Sequence, residues 1–211
     1  KNYSNLITVS KTSKIDIIRT SSRKKKISYL YNSVNFEFIK KSRNIAINED
    51  ILKNNSVSKF IDFDLPNIIY IATLSPRKCH SDLIKALSET KKQLNVNLIG
   101  YPSDKNIQNL INQKSNLRCE KVKFNINYFQ ELSQKDLCIL LFYSSAYVST
   151  SMNEGFGIPL LEAQLYNVPL IIRDIDINRE LFPESNFFKS YQELIDLLND
   201  IKPLSKIEID K

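Results

Sequence analysis

Two kinds of hydrophobic pattern alternate along this chain of 211 residues. Short runs rich in β-branched and aromatic residues, IIYIAT, VNLIG, KVKF, AYVST and VPLII, read as strands. Between them, apolar residues recur three and four positions apart. Residues 82–93 place Leu83, Ile84, Ala86 and Leu87 on one face, and residues 191–201 do the same with Leu194, Ile195, Leu198 and Ile201, so both read as helices. Regular alternation from Asn67 onward predicts an α/β fold with a parallel sheet and helices on both faces. Upstream the signal is weaker. NLITVS reads as a short strand, SKTSKIDII offers Ser/Thr caps to a brief helix, and residues 37–66, rich in Lys and Asn, would carry a short helix and a connection.

Glycine use changes the picture. The chain has 3 glycines, and Gly155 and Gly157 stand one residue apart in STSMNEGFGIPLLEAQLYNVPLII, between an apolar run and a helix-like run. Ala146, Tyr147 and Val148 lead in as a strand, and Pro159 is expected as the first residue of the helix, where its missing N–H costs nothing. A strand, glycine turn and helix in that order expose free N–H groups and a positive helix end at the carboxyl end of a strand, where phosphate-bearing ligands bind. Glu154 precedes the glycines. Glu162 follows in the opening turn of the helix, where a carboxylate suits a vicinal diol such as a ribose. Taken singly, each Glu is better explained as a solvated loop residue or a helix N-terminal charge; the combination with the glycine turn is what points to a ligand.

This stretch resembles the signature of the group 1 glycosyltransferases, family 4 of the retaining enzymes, which have two facing Rossmann-like domains (the GT-B type). EGFGIPLLEA followed by NVPLII carries the likeness. The resemblance implies that Glu154 and the run Gly155, Phe156, Gly157 and Ile158 face the donor sugar and diphosphate, and that Glu162 holds the ribose. It implies a nucleotide-diphosphate sugar as donor and a sugar or lipid-linked acceptor, with cell-surface polysaccharide or glycolipid synthesis as the commonest setting. Residues 1–36 resemble the tail of the N-terminal acceptor domain, with ISYLYN as the interdomain crossing and Ser33 where a glycine is common. A boundary near residues 32–36 follows, with the donor domain over 37–211. Most of the acceptor domain is absent from this sequence, so the chain alone is expected to bind nucleotide and transfer little sugar. The alternative is a non-catalytic donor-binding module that works beside a separate acceptor-domain partner.

A second patch lies in the loop after IIYIAT. Arg77 and Lys78 are adjacent cations at a strand end, before a helix, and suit a diphosphate. Negative charge grows on the leaving diphosphate during glycosyl transfer, so a fixed cation there lowers the barrier, and Lys78 is the residue expected in that role. In the family the aligned lysine contacts the diphosphate, and many members have an earlier arginine where Thr73 stands here. Lys78 and Glu154 are therefore the expected catalytic residues, with Arg77 beside them. His80 is expected as a cap or packing residue.

Metal chemistry is disfavoured. Asp174, Ile175 and Asp176 spell an Asp-x-Asp, but such pairs are common by chance, and the family reading makes this the loop after the fifth strand, with Glu180 opening the next helix. Cys79, Cys119 and Cys138 are odd in number, irregularly spaced and accompanied by a single histidine, which fits no zinc pattern and suits a reducing compartment. No cofactor is expected. The two carboxylates are also a poor glycosidase pair, because an N–H-rich turn lies between them.

Net charge is +7, all of it N-terminal: residues 1–60 hold 13 Lys/Arg against 4 Asp/Glu, and the remainder holds 17 against 19. RKKK at 23–26 is a candidate contact with an acidic membrane surface, though short charge runs are usually solvated. No nucleic-acid signature accompanies it. No run is long enough to span a bilayer, and no signal-peptide core is visible, so a cytoplasmic chain is expected, with the inner membrane face as its setting. No G-x-G-x-x-G or G-x-x-x-x-G-K-[ST] is present, which disfavours a dinucleotide or P-loop site.

Overall fold

A computed structural model describes residues 5–21, 26–115 and 124–204. Strands β1 (Asn5–Thr8) and β2 (Lys26–Tyr29) pair in parallel as a small separate sheet, joined by helix α1 (Lys11–Thr20). Helices α2 (Phe36–Ile47) and α3 (Glu49–Lys53) follow, so the region read as one short helix holds two. Each is capped by an asparagine side chain, Asn35 accepting from the Phe38 amide and Asn48 from the Ile51 amide. That chemistry, rather than apolar period, is what starts them.

The main sheet begins with β3 (Asn67–Ile71) and α4 (His80–Glu89), then β4 (Leu94–Ile99) and α5 (Lys105–Ser115). β5 (Phe124–Phe129), α6 (Gln134–Phe142), β6 (Ala146–Ser149) and α7 (Ile158–Leu165) come next. β7 (Leu170–Arg173), α8 (Asp176–Leu181), β8 (Asn186–Phe188) and α9 (Tyr191–Asp200) complete it. All six strands run parallel in the order β5-β4-β3-β6-β7-β8. The expected α/β architecture is thus present. α4 packs with α5 and α9, while α2 packs with α6.

Several sequence expectations shift. The strand read at KVKF runs from Phe124 instead, and residues 121–123 lie outside the described set. The alternation Phe124, Ile126, Tyr128 against Asn125, Asn127 was the better signal. Those asparagines belong to a ladder of amides across the sheet. Asn95 donates to Asn67 Oδ1 at 2.7 Å, and Asn127 donates to the side-chain oxygens of Asn95 and Asn97, both at 3.1 Å. Buried amides so paired cost little, which is why asparagine is tolerated in the middle of β4. Cys119 and residues 23–25 of RKKK also lie outside the described residues.

Strand order fixes where a ligand can sit. The chain lays β3, β4 and β5 to one side, then returns to place β6 against β3 and continues to the other side. The crevice between the carboxyl ends of β3 and β6 is the topological switch point, the usual ligand position in open parallel sheets. Among the described residues no helix is long and apolar enough to cross a membrane.

Candidate functional site

Two loops meet at the switch point. After β3, residues Pro76–Lys78 form a single 3-10 turn, and Cys79 turns into α4 with left-handed backbone, φ 50°. A non-glycine residue there is held against its preference, and such strain persists where surrounding contacts over-determine it. Here they do. The Tyr70 hydroxyl donates to the Lys78 carbonyl at 2.7 Å, Thr150 Oγ1 lies 3.0 Å from that oxygen and 2.8 Å from the Cys79 carbonyl, and the Met152 amide donates to the Arg77 carbonyl at 2.9 Å. Two of these partners come from the β6 loop, so the two loops are stitched together through the backbone of the lysine-bearing turn.

The side chains meet as well. Lys78 Nζ lies 2.6 Å from Glu154 Oε1, and each side chain is only 11% exposed. An ammonium has three donors, and Glu154 takes one, leaving capacity for an anion. Arg77, next door, is exposed, and Thr73 is exposed where the resemblance would put an arginine.

The glycine turn follows. Gly157 has φ 82° and caps α7, and a Cβ on it would lie 3.0 Å from Leu160 Cδ1, so its glycine is required by the backbone. Gly155 has nothing within 4 Å of an added Cβ, so no protein contact excludes a side chain there. The open space faces outward, as a close ligand approach requires. The amides of Gly155, Phe156 and Gly157 donate to no acceptor among the described residues. α7 begins at Ile158, with Pro159 second instead of first, because Gly157 and not the proline supplies the entry. Ile158 is 43% exposed. Phe156 is different: its ring is buried, not turned outward, and it packs 6.1 Å from the Tyr31 ring. Among the described residues its backbone amide, not its side chain, is left free.

Glu162 is half-buried in α7, and burial pushes its carboxyl above the usual range. It has no hydrogen-bond or ion-pair partner among the described residues. An under-solvated carboxylate with free lone pairs is poised for a hydroxyl donor.

His80 is a packing residue. It is buried, stacks on Tyr70 with ring centroids 4.6 Å apart, and burial together with the nearby Lys78 charge lowers it to about 4. Burial pushes the Cys79 thiol up, which makes it a poor nucleophile. Asp174 accepts a two-pronged contact from Arg179 at 2.7 and 2.8 Å, with Lys189 at 3.4 Å, so its carboxylate is already engaged by cations. Glu180 does not open α8 but lies near its end.

Sequence reasoning missed Arg173. At the end of β7, its Nε donates to the Thr150 carbonyl at 3.0 Å and it pairs with Asp82 of α4 at 2.8 Å, bracing both loops. An arginine ending a strand reads as surface, and only the pairing of β6 with β7 reveals it.

Residues 53–204 match the family model described as "Glycosyl transferases group 1". The chain is 29% identical over 146 residues to the "Serotype-specific mannosyltransferase WbdA" of Escherichia coli, covering 65% of this chain and 17% of that protein. It is 36% identical over 83 residues to the "O-antigen chain mannosyltransferase RfbU" of Salmonella typhimurium, covering 36% and 23%. Among solved structures, HepE of Anabaena in complex with UDP and glucose matches with TM-score 0.71 and 21% identity over 93% of this chain and 53% of that one. The trehalose 6-phosphate synthase of Burkholderia multivorans matches with TM-score 0.75 and 12% identity over 98% and 53%. The chain thus spans about half the length of these solved chains and less than a quarter of the two mannosyltransferases.

Proposed function

The chain belongs to the group 1 glycosyl transferases, and from that premise we propose that residues 37–211 are the donor domain of a retaining, metal-independent glycosyltransferase, with residues 1–36 the tail of its acceptor domain. The observation that carries the reading is the Lys78–Glu154 pair at 2.6 Å, set at the switch point beside a turn of free amides. A nucleoside diphosphate fits these groups. Its oxygens take the two remaining Lys78 donors and the Gly155–Gly157 amides, the ribose diol takes Glu162, and Arg77 stands at the rim.

When the bond from the sugar's anomeric carbon to the diphosphate breaks, charge accumulates on the departing oxygen, where the Lys78 ammonium lies. A new bond forms from the acceptor oxygen to that carbon on the same face, and the acceptor's proton leaves with the diphosphate or to solvent. Glu154 holds Lys78 in place, and faces the sugar. With a protein cation at the leaving group, no divalent ion is required.

WbdA and RfbU are named as mannosyltransferases and HepE was solved with UDP and glucose, which supports a hexosyl donor, mannose first, in polysaccharide assembly. Calorimetric titration with UDP, GDP and dTDP, with and without EDTA, tests the site. Binding of one nucleotide that survives EDTA and weakens in Lys78→Ala and Glu162→Ala is expected; binding abolished by EDTA would refute metal independence. A second reading, a donor-binding module completed by a separate acceptor-binding partner, is favoured by the exposure of Ile7 (74%), Leu30 (72%) and Phe36 (62%). Sugar transfer by the isolated chain would exclude it.

A further inference from the structure

Glu180 receives more hydrogen bonds than a carboxylate near the end of a six-residue helix would be expected to attract. Its Oε1 accepts from the Lys11 amide at 2.7 Å and from the Tyr31 hydroxyl at 2.9 Å. Its Oε2 accepts from the Thr12 amide at 2.6 Å and the Thr12 hydroxyl at 2.5 Å. All four donors come from the first 36 residues, and both oxygens are satisfied.

The local sequence explains why. α1 has no acidic residue in its first turn, and its cap, Ser10, accepts from the Ser13 amide. The Lys11 and Thr12 amides therefore stay free at the positive end of the helix, and Glu180 supplies the missing carboxylate from α8. Burial alone would push this carboxyl up, but its four donors outweigh that and hold it below the usual range, so it stays ionised.

Tyr31 carries the contact onward. Its hydroxyl is fixed on Glu180 while its ring lies against Phe156, the one side chain between the two glycines of the turn. Between Glu154, tied to Lys78, and Gly157, whose carbonyl accepts from the Leu160 and Leu161 amides, the burial of Phe156 is the contact that sets the course of the turn. Tyr31 is part of the wall that buries it.

We propose that Glu180 and Tyr31 are positioning residues for the donor site: by capping α1 and clamping Tyr31, Glu180 sets Phe156 and with it the Glu154–Gly157 turn. This rests on the reading of that turn as the diphosphate site. It makes the placement of the acceptor-side segment and the shape of the donor turn one coupled arrangement.

The test places 4-fluorophenylalanine at position 156 of the full chain and reads its fluorine resonance in wild type, Glu180→Gln and Tyr31→Phe, alongside titration with UDP, GDP and dTDP. Glutamine keeps one acceptor oxygen but turns a donor toward the amides of α1, and phenylalanine keeps the ring but loses the hydroxyl. Both variants are expected to shift the resonance toward its value in urea and to weaken the bound nucleotide about three- to tenfold, with the melting temperature within a few degrees of wild type. A resonance unmoved in both variants overturns the proposal, as does a shift with unchanged nucleotide affinity. A wild-type chain that binds none of the three nucleotides overturns the diphosphate reading of the turn, and with it the donor-site role of Glu180, whether or not the resonance moves.

Discussion

The two ends of the main sheet differ in their chemistry. At the amino end, Ala146, Pro169, Asn186, Leu197, Asp200 and Lys202 are among the residues lining a cavity of about 630 Å³. At the carboxyl end Lys78, Glu154, Glu162 and the glycine turn converge instead. The amino end has a hollow lined by none of these groups, and the carboxyl end has the groups. Parallel topology explains the split. Each helix after a strand starts at the carboxyl end, so free N–H groups and positive dipole ends collect there, whereas helix C-termini and free carbonyls face the amino end. A diphosphate is attracted to the first and repelled by the second.

The sharpest way to break this comparison is at the lysine pair. Lys78→Ala is expected to lower transfer about 10²- to 10³-fold in any form of the protein that turns over, the usual cost of removing a group that stabilises developing charge. Undiminished turnover would move the reaction elsewhere, the amino-end cavity included.

Acid comes next. His80 is lowered to about 4 in the folded protein, below its unfolded value near 6.5, so the unfolded chain binds more protons between those values. Stability from this group is complete above pH 6.5 and declines as pH falls toward 4, by up to about 3 kcal/mol. Urea titrations at pH 7 and pH 4.5 should show the loss, and His80→Phe, which keeps a ring on Tyr70, should remove most of it.

The two glycines separate fold from function within one turn. Gly157→Ala, at positive φ, is expected to cost about 1–2 kcal/mol of stability in urea melts. Gly155→Ala should leave stability within about 0.5 kcal/mol of wild type and act instead on nucleotide affinity. The smallest effect belongs to the other end of the sheet: Asn186→Leu, facing the large cavity, should change nucleotide affinity by less than about twofold in the same titrations.

Much of the site was legible because local needs wrote it. Gly157 answers a backbone angle, Gly155 an open approach, and Lys78 follows its strand at a spacing that any parallel sheet would place at the ligand end. Strands β3 to β7 were legible from their apolar runs, with Asn125 and Asn127 hiding the true extent of β5 behind polar residues that only a cross-strand ladder makes acceptable; β8, three residues long, was not read. Glu180 and Arg173 were not legible. Their partners lie far away in sequence, at Lys11 and Thr12 for one and Asp82 and Thr150 for the other. Nothing near either residue announces the connection. α8 illustrates this: read alone, Glu180 was a helix-opening charge, and the fold assigned it to a different helix.

The pairing of β3 with β6 has a further consequence for how the molecule is made. Neighbouring strands elsewhere in the main sheet are close in sequence, as with Asn67 beside Asn95, but Ile68 meets Ala146 only after the whole β4 to α6 segment has intervened. Loop-closure entropy makes that seam the most expensive contact of the sheet to form, so the β3-β4-β5 and β6-β7-β8 halves can assemble locally before they dock. The ligand crevice would then be the last part of the domain to exist during folding and the first to open. A nucleotide that bridges Lys78 and the glycine turn would join the two halves across their weakest kinetic joint, acting as a brace on the folded state as well as a reactant within it.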